Sequence, residues 1–317
     1  MALTRILFAS DFHGSNACFR KFVSAGLTYQ ANVMIVGGDV TGKGIIPIIH
    51  HGKGVYEGYL FGAKNVCETA EELNKFKEQI SNVGFYPLVL EPDEARELEA
   101  DHSKMDEVFG KLMNERVIEW LELAEKYLKP KGIKMFFMPG NDDSYVIDEV
   151  IGQSEYVINP DERICWIDDY HEVAGLGSNN MTPWKCPRDM AEEELDTRIE
   201  NLAARLEKPE NAIFAFHCPP YDSLLDTAPD LDKDLRIKTA GGQVLMKPVG
   251  STAVRNAIKK WQPLLSLHGH IHEAAGHTRI GKTLAINPGS EYAEGIMKAA
   301  LVNLDRDKVK GHMIISG

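Results

Sequence analysis

Three histidines fall within five residues at His268-Gly269-His270-Ile271-His272, and this is the strongest chemical signal in the chain. Asp11 and His13 share the spacing of His270 and His272, two residues apart. In an extended segment that spacing points both side chains to one side. Asp39 follows Gly37-Gly38, Asn141 follows Pro139-Gly140, and His217 precedes Cys218-Pro219-Pro220. Imidazole and carboxylate together suit zinc, manganese, iron or nickel, whereas magnesium and calcium prefer sites made only of oxygen. Asp11, His13, Asp39, Asn141, His217, His270 and His272 are too many donors for one tetrahedral ion. A carboxylate shared between two nearby ions accommodates them. Singly, each has a plain alternative. Gly-Asp is a common turn, an asparagine after glycine is a left-handed turn residue, and a histidine before two prolines can be a packed imidazole. Jointly, and in this order, the metal reading outweighs those alternatives.

Each of these residues sits at the end of an apolar run. Arg5–Ser10, Ala31–Val36, Ile133–Met138, Ala212–Phe216, Leu264–Leu267 and Lys282–Ile286 read as strands. Continuous apolar strands belong to sheets covered by helices, and loops at strand C-termini converge in space. Residues 16–28 read as a helix carrying Phe19, Phe22 and Val23 on one side. Residues 69–83 read as an amphipathic helix opened by the capping pair Thr69 and Glu72. Arg163–Ile167 and Glu172–Leu176 form an expected strand pair, with a charged helix at 188–207 and another helix near 250–260. Ala299–Leu304 and Lys310–Ile315 complete the strands. Between 43 and 130 the rhythm breaks. Residues 42–66 suggest a hairpin or irregular lobe, and 91–128 suggest one or two solvated helices ending at Pro130. The expected organisation is one domain over 1–317 with an inserted lobe or lid at about 43–130.

The 317 residues, 44% of them apolar, can build a large core without staples. Cysteines 18, 67, 165, 186 and 218 form no Cys-x-x-Cys pair, which argues against a thiolate zinc site and for a reducing compartment. The N-terminus shows no apolar core of signal-peptide length, and no run is long enough to span a membrane. A cytoplasmic protein without membrane partners is expected. A net charge of −12 argues against a general nucleic-acid surface. It leaves room for a small phosphorylated or nucleotide-like substrate, because bound cations invert the local potential.

The ordered blocks Asp11-Phe12-His13, Gly38-Asp39, Gly140-Asn141-Asp142-Asp143, His217 and Gly269-His270-Ile271-His272 resemble the calcineurin-like metallophosphoesterase family. More loosely, the chain resembles prokaryotic members related to cyclic-nucleotide phosphodiesterases. The resemblance implies a four-layer α/β/β/α sandwich of two mixed sheets flanked by helices, with a two-metal centre at one edge. It also implies ligand sets: Asp11, His13 and His272 for a first ion, and Asn141, His217 and His270 for a second, with Asp39 bridging. The implied activity is metal-dependent hydrolysis of a phosphate ester, a phosphodiester by preference, through a metal-bridging water or hydroxide. Two divalent ions are implied, manganese first, with iron, zinc or nickel as alternatives. The 43–130 region allows for a homo-oligomer.

One position departs from the family pattern. Asp142 stands where the family carries a histidine that protonates the leaving group. Asp142 and His217 are thus the candidate catalytic residues. An ionised Asp142 cannot donate a proton and repels the extra charge of a monoester. If buried and protonated, it would itself be the general acid. The alternative activities are a phosphomonoesterase or protein phosphatase of the same fold, and a non-catalytic metal-binding scaffold. Around the site, Gly14 permits a sharp turn, and Asn16 is either a phosphate contact or a helix N-terminal residue. His50 and His51 are expected either to reach the metal edge or to be ordinary exposed histidines. Cys218 is expected to pack, and Asn287-Pro288-Gly289-Ser290 to shape the floor of the site.

Overall fold

The computed structural model describes residues 3–317. One mixed sheet runs in the order Lys308–Ser316, Lys298–Asp305, Thr4–Ala9, Val33–Gly37, Lys134–Met138. Thr4–Ala9 lies parallel to Val33–Gly37 and antiparallel to Lys298–Asp305. The second runs Gly276–Ile280, Thr283–Asn287, Leu265–Leu267, Ile213–Phe216, Glu172–Leu176, Ile164–Trp166. Its four central strands are parallel and both edges antiparallel.

Strand periodicity assigns the layers. Alternate residues of one strand face opposite sides of its sheet. Ile6, Phe8, Val33, Ile35, Phe136 and Met138 meet Val173, Ile213, Ala215, Leu265, Leu267 and Ile286 between the sheets. The intervening residues Leu7, Met34, Val36 and Phe137 turn outward. They pack on Phe19 and Phe22 of the helix Asn16–Thr28 and on Val117 and Trp120 of the helix His102–Leu128. On the far side, Ala174, Phe214 and Ala285 pack on Leu195 and Ile199 of Glu192–Ala203 and on Val254 and Ile258 of Thr252–Trp261. The result is the expected helix–sheet–sheet–helix order.

The 43–130 stretch divides in two. Its first part builds a four-stranded sheet in the order Ala63–Cys67, Tyr56–Leu60, Ile45–His50, Tyr86–Leu90. The helix Ala70–Asn82 lays Phe76 and Ile80 on Ile48 and Cys67, and its Thr69–Glu72 capping box is formed. Its second part is the helix Pro92–Ala100 followed by His102–Leu128, and the latter is part of the outer layer over the first sheet. Several details differ from the sequence reading, among them a helix at Ile147–Gly152 and a strand pair of Thr227–Pro229 with Met246–Pro248 in the expected polar loop before the helix near 250–260. Tyr86–Leu90 is an unforeseen strand. The charged helix spans only Glu192–Ala203, because Asp189–Met190 pairs with Asn179–Asn180 beside the site. Gly276–Ile280 adds an edge strand. Among the described residues, no helix is long and apolar enough to cross a membrane.

Candidate metal centre

The seven expected ligands stand on loops that leave adjacent strand ends of the two sheets. Asp11 and His13 follow Thr4–Ala9, Asp39 follows Val33–Gly37, and Asn141 follows Lys134–Met138. His217 follows Ile213–Phe216, and His270 and His272 follow Leu265–Leu267. The loops are tied together by their backbones. Asp11 N–H donates to the Gly38 carbonyl (2.9 Å), His13 N–H to Asp39 (2.9 Å), and Gly269 N–H to His217 (3.0 Å).

Asp11, His13 and His272 form one group of potential ligand atoms, and Asp39, His217 and His270 a second; within each, the atoms lie within 4.8 Å of one another. In the first, the Nε2 atoms of His13 and His272 are 3.2 Å apart, and His272 Nε2 is 3.5 Å from Asp11 Oδ1. In the second, His217 Nε2 is 3.4 Å from Asp39 Oδ1. Asp39 turns its other oxygen, Oδ2, toward His13 Nε2 at 3.7 Å. One carboxylate therefore presents an oxygen to each group, which is the arrangement a shared ligand needs.

The local backbone is not extended at Asp11, His13 and His270, contrary to the spacing argument. Asp11, His13, Asp39 and His270 have φ of 59°, 41°, 49° and 67°. Left-handed backbone is unfavourable for residues with a Cβ, and such strain gathers at functional sites. Tight turns, not strand alternation, bring Asp11 and His13 into one group.

The surroundings fix how each side chain points. His217 Nδ1 donates to the Gly37 carbonyl (2.9 Å), so Nε2 is the atom that faces the carboxylates. Asn141 Nδ2 donates to Asp189 Oδ1 (2.8 Å), leaving its carbonyl oxygen for the centre. Asp143 accepts from the backbone of Gly140, Val40 and Thr41, joining the Asp39 loop to the Asn141 loop. Asn287 Nδ2 donates to the carbonyls of Gly269 and Ile271, and Ser290 Oγ donates to the Asp11 carbonyl (2.7 Å). The Asn287–Ser290 turn thus forms a floor under the His270 and Asp11 loops.

Charge is concentrated and dry. Asp11, Asp39, His13 and His217 are all buried. Burial pushes Asp11 up, but the His272 hydrogen bond and the His217 charge outweigh it and bring it to about 2. Asp39 is likewise held below its usual range against burial, chiefly by His217. Burial opposes charge on His217 as well, and Asp39 outweighs it, raising it to about 9. Burial lowers His13 to about 3, with Lys43 adding to the fall, and lowers His270 to about 4. Without a cation, His217 and His272 together are the groups whose charge offsets the two carboxylates. A divalent ion would take over that role.

The unpaired atoms fit such ions. Five buried side-chain polar atoms lack a hydrogen-bond partner among the described residues, and four lie here: His13 Nδ1, Asn141 Oδ1, Asn179 Oδ1 and His217 Nε2. Leaving a buried polar atom unpaired costs about 1–3 kcal/mol. Asn141 Oδ1 and His217 Nε2 belong to two of the expected second-ion ligands, and a cation is the partner that suits both.

Several residues take other places. His50 Nδ1 faces Glu91 at 2.6 Å and stacks on Tyr56, and His51 faces Glu57; neither is in a ligand group. Asn16 Oδ1 accepts from Trp120 Nε1 at 2.6 Å, so it locks two helices rather than offering itself to phosphate. Cys218 is buried, and burial pushes its thiol up, as packing requires. The sequence reading missed Asn179, whose Nδ2 is 2.9 Å from His270 Nε2, and also Asp189 and Lys43. Asn179 was marked by its position: Gly177-Ser178 follow the strand Glu172–Leu176 as glycines follow Val33–Gly37, Lys134–Met138 and Leu265–Leu267.

Comparison with known proteins agrees with this geometry. No family model matches the chain. An uncharacterised protein of Methanocaldococcus jannaschii is 31% identical over 183 residues, covering 57% of this chain and 72% of that protein. A cAMP/cGMP dual specificity phosphodiesterase of Mycobacterium tuberculosis is 26% identical over 195 residues, covering 60% of this chain and 54% of that protein. The chain belongs to the calcineurin-like metallophosphoesterase family. The crystal structure of TT1561 of Thermus thermophilus shares the fold, with a TM-score of 0.54, 16% identity and coverage of 100% of this chain and 99% of that one.

Against the metallophosphoesterase pattern, the position after Asn141 stands out. Asp142 is ion-paired with Lys43, its backbone N–H donates to Asp39 Oδ1 (3.0 Å), and its Oδ2 is 3.8 Å from His13 Nδ1. Burial works against the Lys43 charge, but Asp142 and Asp39 outweigh it and raise its pKa. The Asp142 charge is therefore compensated, so its expected repulsion of monoesters is largely cancelled.

Proposed function

We propose that the protein hydrolyses phosphate diesters at a centre of two divalent cations. The observation that carries this reading is the pair of ligand groups joined by Asp39, with Asn141 Oδ1 and His217 Nε2 left unpaired at its heart. Asp11, His13 and His272 would hold one ion, Asn141, His217 and His270 the other, and Asp39 both. Manganese suits this mixture of imidazole, amide and carboxylate donors, as do iron, zinc and nickel. When bound, the cations supply Lewis-acid activation of water and of the phosphoryl group.

The chain's own residues do the rest. Asp39 and Asp11 set the charge that retains the cations. Gly37, Asp189 and Asn179 aim His217, Asn141 and His270. Asp143 keeps the two ligand loops in register. His217 is fully buried, so any part it takes in catalysis runs through a bound cation. Asp142 accepts from Lys43 and stands where the family carries its proton-donating histidine. An enzyme without a proton donor at that position favours esters whose leaving group needs little protonation. The similarity to a protein named as a cyclic-nucleotide phosphodiesterase supports the diester class.

A phosphomonoesterase is the second reading, favoured by the Lys43 ammonium, which suits a dianionic substrate. Manganese-loaded protein assayed against bis-p-nitrophenyl phosphate, p-nitrophenyl phosphate and 2′,3′- and 3′,5′-cyclic nucleotides separates the two. A higher kcat/KM on the diester is expected. A large monoester preference reverses the ranking, and no turnover with manganese, iron, zinc or nickel removes both.

A further inference from the structure

Lys43 lies at the rim of the centre, between Gly42 and Gly44, and its position is set by the backbone around it. Gly42 N–H donates to Tyr86 Oη (2.8 Å), Lys43 N–H to the Gly84 carbonyl (3.1 Å), and Tyr86 N–H to the Gly44 carbonyl (3.0 Å). Gly14, just after His13, packs so closely that a Cβ there would lie 2.7 Å from Gly42 Cα. The side chain then reaches Asp142, whose ligand oxygen lies within 4.8 Å of ligand atoms of both His13 and Asp39. An ammonium is thereby placed beside the shared carboxylate, on the open side of the site.

The pair is not built for stability. Its side chains are 38% and 32% exposed, and exposed ion pairs contribute little to folding. That exposure does let an incoming anion reach the ammonium. Lys43 has three N–H donors, of which Asp142 Oδ2 takes one. Close by, the Tyr292 ring stands 4.6 Å from the His13 ring and 5.8 Å from that of His272, walling the same mouth.

We propose that Lys43, positioned by Asp142, donates a hydrogen bond to a non-bridging phosphoryl oxygen of the bound ester and supplies the cationic donor at the rim of the centre. Lys43 touches substrate, whereas Asp142 acts only through Lys43. No proton changes hands; the contribution is electrostatic, from a donor already in place as charge grows on the phosphoryl oxygens. The proposal rests on the phosphoesterase reading above.

The test uses manganese-loaded wild type, Lys43→Met, Lys43→Arg, Asp142→Asn and the double variant Lys43→Met/Asp142→Asn. The readouts are metal content, kcat and KM for bis-p-nitrophenyl phosphate, and calorimetric binding of inorganic phosphate. Lys43→Met should retain its manganese, lose about 10²-fold in kcat/KM and bind phosphate at least about tenfold more weakly. Lys43→Arg, which keeps charge and donors, should recover most of that loss. Asp142→Asn should cost about tenfold in the wild-type background and nothing further when Lys43 is already methionine. Wild-type phosphate affinity and turnover in Lys43→Met would overturn the proposal and leave the proposed function standing. Equal costs of Asp142→Asn in both backgrounds would overturn the role given to Asp142. A wild-type protein that binds neither manganese nor phosphate would overturn both this proposal and the proposed function.

Discussion

Gly140→Ala adds one methyl group and changes no candidate ligand, yet it should disable the centre. A Cβ at Gly140 would lie 2.2 Å from both Asp39 N and Asp39 Oδ1. Real Cβ contacts essentially never fall under 3.0 Å and ordinary contact begins at 3.4 Å, so something must retreat by about 1 Å. The obstacle is backbone on one side and the shared carboxylate on the other, and neither is the far end of a flexible side chain. Asp39 Oδ1 also accepts from the Asp142 N–H, so the carboxylate moves with the loop. Overpacking of this kind costs about 1–3 kcal/mol of stability. A misplacement of about 1 Å at the reacting centre costs about 10²-fold in rate. The variant should therefore melt a few degrees lower, hold less manganese by elemental analysis and lose about 10²-fold in kcat/KM on bis-p-nitrophenyl phosphate. Gly152→Ala is the control, since its Cβ would meet nothing within 4 Å. Full metal content and turnover in Gly140→Ala would refute the claim that close packing of this glycine positions Asp39.

Asp39→Asn keeps the shape but removes the charge facing both ligand groups. It should abolish most turnover, by about 10²-fold or more, with the far-ultraviolet spectrum unchanged; near-normal kcat with two bound ions would contradict the shared role. His217→Ala should deplete one ion more than the other, because His217 Nε2 faces the second group, and metal titration reads this directly. Asp168 gives a pH prediction away from the site. Burial pushes its carboxyl up, but hydrogen bonds from His171, Thr4 and Tyr170 outweigh it and hold it well below the ordinary value of 3.8. A depressed carboxyl stabilises the fold above 3.8, and that contribution is lost as pH falls through its folded value. Asp168→Asn should therefore cost about 1–3 kcal/mol at pH 7. Its melting temperature should converge on wild type as the pH drops below 3.8, and a gap that widened in acid would count against the assignment.

The strand ends were legible because each ligand follows an apolar run that can only be a buried strand, and because the blocks come in a fixed order. The layers followed from the same runs, since Ile6 and Leu7 must face opposite sides. Backbone conformation was less legible. Asp11 and His13 look extended from spacing alone, yet the hydrogen bonds to Gly38 and Asp39 that turn them come from another loop. Tyr86–Leu90 was hidden by Pro87, which argues against a strand, and the strand is indeed at a sheet edge, where proline is tolerated. Lys43 and Asp189 carry no local signal. Lys43 becomes informative only when Asp142, 99 positions later, lies beside it.

The two ligand groups share a property that their chemistry alone does not reveal. The first takes Asp11 and His13 from one sheet and His272 from the other, and the second takes Asp39 from one and His217 with His270 from the other. A cation in either place is a clasp between the two halves of the sandwich. At a free concentration of about 100 times its dissociation constant, such a clasp adds about 2.7 kcal/mol to the folded state. Metal supply would then set how long the folded protein lasts as well as how fast it turns over. A chain starved of cation would be the more readily opened and digested, and the cell's stock of the enzyme would follow its stock of metal.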